Sequence, residues 1–222
     1  MKITVVIPAK NEEQNIADVI RQCKPYCDEV LVVDGHSKDK TKDVAEAAGA
    51  RVELDGGRGK GDGIRAGIAA ARGDIIVFVD ADGSHNPQDI PTLTAPVVDG
   101  KYDMVIGSRM RGGSDELHGD IGKFIRMVGS DIITLSINYR FGVRITDSQN
   151  GFRAVRRTAA QAVRLTENIF TVEQEMLMKV LKKGYRVGEV PAHEYCRRHG
   201  KSGIVVWKMA PRYVWCLIKN LF

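Results

Sequence analysis

Short aliphatic and β-branched runs at residues 3–7, 29–33, 50–54, 74–79 and 103–107 alternate with helix-like stretches at 12–22, 41–48, 63–71 and 87–98. Strands that alternate with helices pair in parallel, because a parallel neighbour is reached only through a crossover connection. Asp39 ahead of Thr41 supplies a helix-start signal within this pattern. The run Ile75-Ile76-Val77-Phe78-Val79 is apolar on both faces, as suits a strand covered by helices on both sides. The pattern predicts an open, mostly parallel α/β sheet, and such sheets bind ligands beyond the carboxyl ends of their strands.

Every expected strand end is polar, charged or glycine-rich: Pro8-Ala9-Lys10-Asn11-Glu12-Glu13, Asp34-Gly35-His36-Ser37, Asp55-Gly56-Gly57-Arg58-Gly59-Lys60-Gly61, Asp80-Ala81-Asp82-Gly83-Ser84-His85 and Ser108-Arg109. Asp80 and Asp82 carry the sharpest chemistry. At i and i+2 of an extended segment their carboxylates leave on the same side, two hard oxygen ligands suited to Mg²⁺ or Mn²⁺ shared with a diphosphate. An ion there stabilises a departing nucleotide diphosphate by taking up its developing charge. The Gly59-Lys60-Gly61 stretch lacks P-loop order, since Asp62 follows Gly61, and no Gly-x-Gly-x-x-Gly follows the first strand. A P-loop NTPase and a dinucleotide oxidoreductase are therefore disfavoured. Downstream, residues 146–153 form a compact polar segment expected to precede a helix carrying Arg156 and Arg157. Glu173 and Glu175 lie ahead of a helical stretch at 176–183, and Arg197-Arg198-His199-Gly200-Lys201-Ser202 reads as a basic anion-binding loop.

The chain has 222 residues and a formal net charge of +5, and that charge is unevenly placed. No acidic residue follows Glu194, whereas Arg197, Arg198, Lys201, Lys208, Arg212 and Lys219 all do. The asymmetry points to an anionic partner at that end. Nucleic acid is not the expected partner, because the acidic strand-end cluster would repel a polyanion. No apolar run approaches the roughly 18 residues of a membrane span, and the N-terminus lacks a basic region followed by an apolar stretch. Cys23, Cys27, Cys196 and Cys216 have neither zinc-type nor disulfide-framework spacing. A cytoplasmic setting with reduced thiols is expected.

Several ordered motifs carry a family likeness: Val6-Ile7-Pro8-Ala9-Lys10-Asn11-Glu12-Glu13, Val33-Asp34-Gly35-His36-Ser37, Asp80-Ala81-Asp82-Gly83-Ser84-His85-Asn86-Pro87, Gly107-Ser108-Arg109, Asp147-x-Gln149-x-Gly151-Phe152-Arg153, Gly188-Glu189-Val190-Pro191 and Arg197-x-x-Gly200-Lys201-Ser202. Through them the chain resembles a family 2 glycosyltransferase of the GT-A fold, in particular the dolichol-phosphate mannose synthases and related polyprenyl-phosphate glycosyltransferases. The resemblance implies a Rossmann-like, mostly parallel sheet flanked by helices over residues 1–203. It implies that Pro8, Glu12 and Asp34 hold the nucleoside of the donor with Lys60 close by, and that Asp80 and Asp82 bind the metal and diphosphate. Arg197 and Ser202 would close over that diphosphate. Arg109, with Arg126 or Lys123, would hold the acceptor phosphate. Asp82, Arg109 and Glu175 are the expected catalytic residues. Two departures bear on the donor: Gly35 stands where many relatives have a second Asp, and Ser84 where the mannose synthases often have Gln.

The implied reaction is an inverting, metal-dependent transfer of a hexose from a nucleotide diphosphate sugar, GDP-mannose first and UDP-glucose next, to a polyprenyl (dolichyl) phosphate. A phosphate monoester has a second pKa of about 6 and is mostly dianionic at pH 7. Its oxygen needs positioning and charge neutralisation more than a base, which suits arginines. The alternative acceptor is a sugar, lipid or protein hydroxyl, and this would need a carboxylate base, the role that then falls to Glu175. Residues 204–222 interleave Lys208, Arg212 and Lys219 with Trp207, Tyr213, Trp215 and aliphatics. They are expected either as an interfacial helix on an anionic membrane, peripheral on its cytoplasmic face, or as a helix packed on the domain or on a membrane-anchored partner subunit.

Overall fold

Each of the five apolar runs is a strand in the computed structural model, which describes residues 1–116, 121–200 and 206–222. They are β1 (Ile3–Ala9), β2 (Glu29–Asp34), β3 (Arg51–Leu54), β4 (Ile75–Phe78) and β5 (Met104–Ser108). Two shorter strands, β6 (Arg153–Arg156) and β7 (Val187–Pro191), complete a seven-stranded sheet in the order β3-β2-β1-β4-β6-β5-β7. All neighbours run parallel except β6, which is antiparallel to both β4 and β5.

Helices cover both faces, as the all-apolar strand β4 requires. On one face lie α1 (Ile16–Cys23), α2 (Thr41–Ala47) and α4 (Ile90–Val98). On the other lie α3 (Lys60–Ala70), α7 (Arg157–Ala162) and α8 (Val172–Lys182), together with parts of α6 (Ile121–Phe141) and α9 (Val206–Leu221). A short turn of helix, α5 (Arg109–Gly112), follows β5 directly. In α1 the residues Ile16, Val19, Ile20 and Cys23 are all buried, which is one stripe of a 3.6-residue period.

The antiparallel strand changes what the cleft contains. In a parallel sheet the loops that follow strands gather at one edge; because β6 is reversed, the loop that precedes it gathers there too. Residues 146–152 are therefore delivered to the same edge as the ends of β1, β2, β4 and β5. The sequence pattern predicts a helix directly after this segment, whereas the chain first forms β6 and only then α7. Only Ala154 and Val155 are apolar between the two arginines that bound β6, too short a run to register as a strand.

Arg153 at the head of β6 is 1% exposed, among the largest fully buried side chains. Its Nε donates to the Asn150 carbonyl at 3.0 Å and its Nη1 to the Glu173 carbonyl at 2.7 Å, with Nη2 also donating to Asn150 O. One guanidinium thus fastens the 146–152 loop to the first turn of α8. Arg153→Met removes all three of these bonds and leaves the Asn150 carbonyl without its guanidinium donors, and it should destabilise the fold by about 3 kcal/mol, lowering Tm by about 6–12 °C in a thermal melt.

Candidate active site

The polar ends of β1, β2 and β4 and the loop before β6 meet around five charged side chains. Asp80 and Asp82 lie on the turn after β4 rather than on an extension of the strand, and Ala81 between them is buried. Both nevertheless line one cleft, together with Lys60, Glu173 and Arg197. Lys60 Nζ stands 2.7 Å from Asp80 Oδ1 and 2.9 Å from Glu173 Oε1, and 5.4 Å over the Phe170 ring. Arg197 Nη2 is 3.1 Å from Asp82 Oδ2 and its Nη1 is 2.9 Å from Glu12 Oε1.

These contacts set the charge states. Burial alone would raise the Asp80 carboxyl, but the Lys60 ammonium, aided by Arg197, holds it at about 2. Burial would likewise lower Lys60, and the Asp80 and Glu173 carboxylates more than reverse that. Asp80 is oriented through its backbone: its N–H donates to His85 Nδ1 at 3.2 Å, while His85 Nε2 meets Asn150 Oδ1 at 3.2 Å and the imidazole stacks on Phe152. With Nδ1 accepting, the proton belongs on Nε2. Ser84 donates its N–H and its hydroxyl to Asp82 Oδ1, at 3.1 and 2.7 Å. The residue that departs from the mannose-synthase pattern therefore still serves the acid pair.

Two glycines stand at close approaches. A Cβ on Gly61 would lie 2.1 Å from the Glu167 carbonyl oxygen, and Gly61 N–H donates to Asn168 O at 3.0 Å. The glycine-rich stretch is thus fitted against protein backbone, and its effect is to seat Lys60 at the first turn of α3. Asp62, the residue that breaks P-loop order, holds Arg58 and Arg65 at 2.7 and 2.8 Å. A Cβ on Gly151 would sit 3.1 Å from Asp80 Oδ2 and 3.2 Å from Lys60 Nζ, so a larger residue there would press on the ion pair.

The residues implied for the donor are distributed along the same edge. Pro8 and Asp34 lie at the ends of β1 and β2. Asp34 is buried, with Oδ2 accepting from Ser37 N–H and Oδ1 without a hydrogen-bond partner among the described residues. Pro8, Glu12 and Asp34 are not among the residues lining the main cleft, and Arg197 joins Glu12 to it. Ser202, with Lys201, lies outside the described residues.

On the acceptor side Arg109 and Arg126 line the cleft. Lys123 does not, and its Nζ is 3.6 Å from Glu116. Glu175, expected as the catalytic carboxylate, is displaced from that role. It is fully buried, and it accepts from Thr166 N–H and Oγ1, Glu167 N–H and Lys179 Nζ. Burial would raise its carboxyl, but Lys179 and Thr166 hold it below the ordinary value. Glu173 faces the cleft instead. Two residues apart on a helix is about 200° of rotation, so only one of the pair can point inward.

The acid pair fits a divalent ion. Two carboxylates stand in the cleft, and among the described residues Lys60 and Arg197 pair with them directly, leaving oxygens that an ion and phosphate could share. That is the half-site expected of Mg²⁺ or Mn²⁺ completed by phosphate oxygens.

Arg109 is already committed within the protein. Its Nε and Nη2 donate to Asp147 Oδ2 and Oδ1 at 2.7 and 3.0 Å, and Nη1 reaches Glu194 Oε1 at 3.3 Å. Burial would raise the Asp147 carboxyl, and the Arg109 guanidinium instead holds it below its ordinary value. A lowered folded-state pKa means that the pair stabilises fully above the unfolded value of about 3.9 and loses that contribution as pH falls through the folded value. At pH 7 Asp147→Ala should cost about 3 kcal/mol and lower Tm by about 6–12 °C. The gap between variant and wild type should narrow below about pH 4, as read from melts across pH 2.5–7.

Comparison with known proteins follows this geometry. The family model described as Glycosyl transferase family 2 matches residues 4–164. Glycosyltransferase AglJ of Haloferax volcanii is 34% identical over 205 residues, covering 90% of this chain and 65% of AglJ, so the chain spans just under two thirds of that relative. Dolichyl-phosphate hexose transferase of the same organism is 29% identical over 203 residues, covering 90% of this chain and 85% of the relative. Glucosyl-3-phosphoglycerate synthase from Mycobacterium tuberculosis, solved with Mn²⁺, UDP and phosphoglyceric acid, aligns with a TM-score of 0.78 over 99% of this chain and 78% of the other at 24% identity. That likeness identifies the sheet and its helices as the GT-A fold. With the acid pair, its cations and the reversed strand all inside the matched stretch or packed on it, the chain belongs to glycosyl transferase family 2.

Proposed function

We propose that the protein transfers a hexose from a nucleotide diphosphate sugar to a polyprenyl phosphate, with inversion at the anomeric carbon. One observation carries the reading. A single cleft of about 740 Å³ is lined both by Lys60, Asp80, Asp82 and Arg197 and by apolar side chains of α6 and α9, including Ile125, Ile132, Ile133, Val214 and Leu217. An acceptor with an anionic head and an isoprenoid tail matches both linings, whereas a soluble hydroxyl acceptor leaves the apolar one unused. The name of the dolichyl-phosphate hexose transferase relative supports the same acceptor class.

The residues divide the work accordingly. Pro8, Glu12 and Asp34 receive the nucleoside, the unpartnered Asp34 Oδ1 accepting from a sugar hydroxyl. Lys60 and Arg197 meet the diphosphate, a contact also assigned to Ser202 by the family resemblance. Mg²⁺ or Mn²⁺ held by Asp80 and Asp82 would supply charge stabilisation for the departing diphosphate. Arg126 meets the acceptor phosphate, with Lys123 on the same helix and Arg109 braced behind by Asp147. The dianionic phosphate attacks the face opposite the leaving group and needs no base. This agrees with a Glu175 carboxylate spent on Thr166, Glu167 and Lys179, and with the cleft carboxylate Glu173 standing against Lys60.

Attachment to the membrane surface is proposed through the apolar outer side of α9. No helix among the described residues is long and apolar enough to cross a bilayer. The inner side of α9 packs on α8 and α6, burying Cys216 and Leu217. Two of the cations read as lipid-facing are exposed and also tied to the domain: Arg212 Nε pairs with Glu167 at 2.9 Å, and Lys219 Nζ donates to Thr166 Oγ1 at 3.1 Å. Beside them on the outside stand Val214, Trp215 and Ile218, followed by Phe222 at 91% exposure. The exposed apolar side chains would supply the hydrophobic part of the attraction.

Radiolabelled GDP-mannose and UDP-glucose, each offered with a short polyprenyl phosphate and Mn²⁺ or Mg²⁺, test the reaction. Label should move to the lipid fraction from one donor, and Asp82→Asn should lower the rate by about 100-fold or more. Transfer that is indifferent to EDTA and to Asp82→Asn would remove the assignment. Separately, Trp215→Glu combined with Ile218→Glu should lower the protein's partitioning onto sedimented vesicles by about tenfold or more, and equal partitioning would remove the membrane role of α9.

A further inference from the structure

Arg197 occupies a position that a bound ion would contest. Its guanidinium spans two segments, reaching Glu12 in the loop after β1 at 2.9 Å and Asp82 on the turn after β4 at 3.1 Å. The backbone around it lies along the same turn: Tyr195 N–H donates to Ser84 O at 2.8 Å and Arg198 N–H to Asp82 O at 3.2 Å. Asn15 Nδ2 holds His199 O at 3.3 Å from the other side. Both oxygens of Asp82 are consequently in use, Oδ2 by Arg197 and Oδ1 by the Ser84 N–H and hydroxyl.

A divalent ion that takes Asp82 Oδ2 comes within a few ångströms of a fixed positive charge, and in a partly buried cleft the repulsion exceeds thermal energy severalfold. The two cations of the site differ in how they can yield. Lys60 is gripped from behind by the buried Glu173 and stays beside Asp80. Arg197 has only Glu12 as its second carboxylate partner, and Glu12 belongs to the proposed donor pocket. A diphosphate offers the guanidinium a charge-assisted, two-pronged replacement for both carboxylates. Its arrival therefore frees Asp82 and Glu12 together.

We infer that Arg197 is a built-in cation that keeps a divalent ion off Asp82 until a nucleotide diphosphate draws it away, so that the site takes up metal and nucleotide as a pair and discriminates against the free ion. The inference rests on the reading of this cleft as a nucleotide-sugar site. It assigns Arg197 a task in the empty enzyme besides its contact with the donor.

Binding of MnCl₂ to the full chain, followed by loss of the free-ion electron paramagnetic resonance signal and corrected for ion held by nucleotide in solution, tests this without any turnover. Wild type should bind Mn²⁺ at least about tenfold tighter when GDP or UDP is present. Arg197→Ala should bind Mn²⁺ alone at least about fivefold tighter than wild type and gain less from nucleotide, since the coupling is removed with the charge. Arg197→Gln, which keeps length and removes charge, should match it, and thermal melts verify that both variants fold. Nucleotide-dependent Mn²⁺ binding in wild type, with no tightening for the ion alone in either variant, overturns the inference and leaves the proposed function standing. No Mn²⁺ binding to any of the proteins with either nucleotide overturns both.

Discussion

A four-residue strand that runs against its neighbours governs where the chemistry of this protein lies. Between β4 and β5 a parallel strand would bring its following loop to the cleft; β6 brings the loop before it. Arg153 then locks that loop down by donating to the carbonyls of Asn150 and Glu173, and the rest follows from its position. Asp147 reaches Arg109, Asn150 reaches His85, Gly151 closes on Asp80 and Lys60, and Glu173 is presented to the cleft. A buried guanidinium is costly to desolvate, and burial does push Arg153 below its usual value. Three hydrogen bonds to the Asn150 and Glu173 carbonyls offset that cost.

The cleft is built as an array of compensated charges. Lys60 stands between Asp80 and Glu173, Arg109 between Asp147 and Glu194, and Arg197 between Glu12 and Asp82. Each cation bridges two carboxylates from different segments, so each ion pair is also a tie between loops that are far apart in sequence. A polyanionic donor entering such a site exchanges partners with these groups instead of meeting bare charge, which keeps the empty protein folded and the loaded one charge-balanced. On the far side of the cleft the chemistry changes to the apolar flanks of α6 and α9.

Much of this was readable without coordinates. Asp80 and Asp82 after an all-apolar strand, Lys60 between glycines and Arg109 after β5 are marked by local context, and all of them line the cleft. Other residues were not readable, for identifiable reasons. Glu173 and Glu175 look equivalent in sequence, and only the phase of α8 shows which one faces inward. Arg212 and Lys219 look like free surface cations until their contacts with Glu167 and Thr166 are seen. β6 is hidden because its buried end is an arginine, a residue that hydropathy counts as surface.

By itself the sequence determined the alternation of strands and helices, the resulting mostly parallel sheet, and the edge on which polar strand ends collect, because those depend on periodicity and on the few residues at each turn. Only the tertiary structure decided which carboxylate meets which cation, that β6 is reversed, and that one cleft joins the acid pair to an apolar wall. These are properties of contacts between segments up to 185 positions apart, as with Arg197 and Glu12, and no local pattern encodes a distance across the fold.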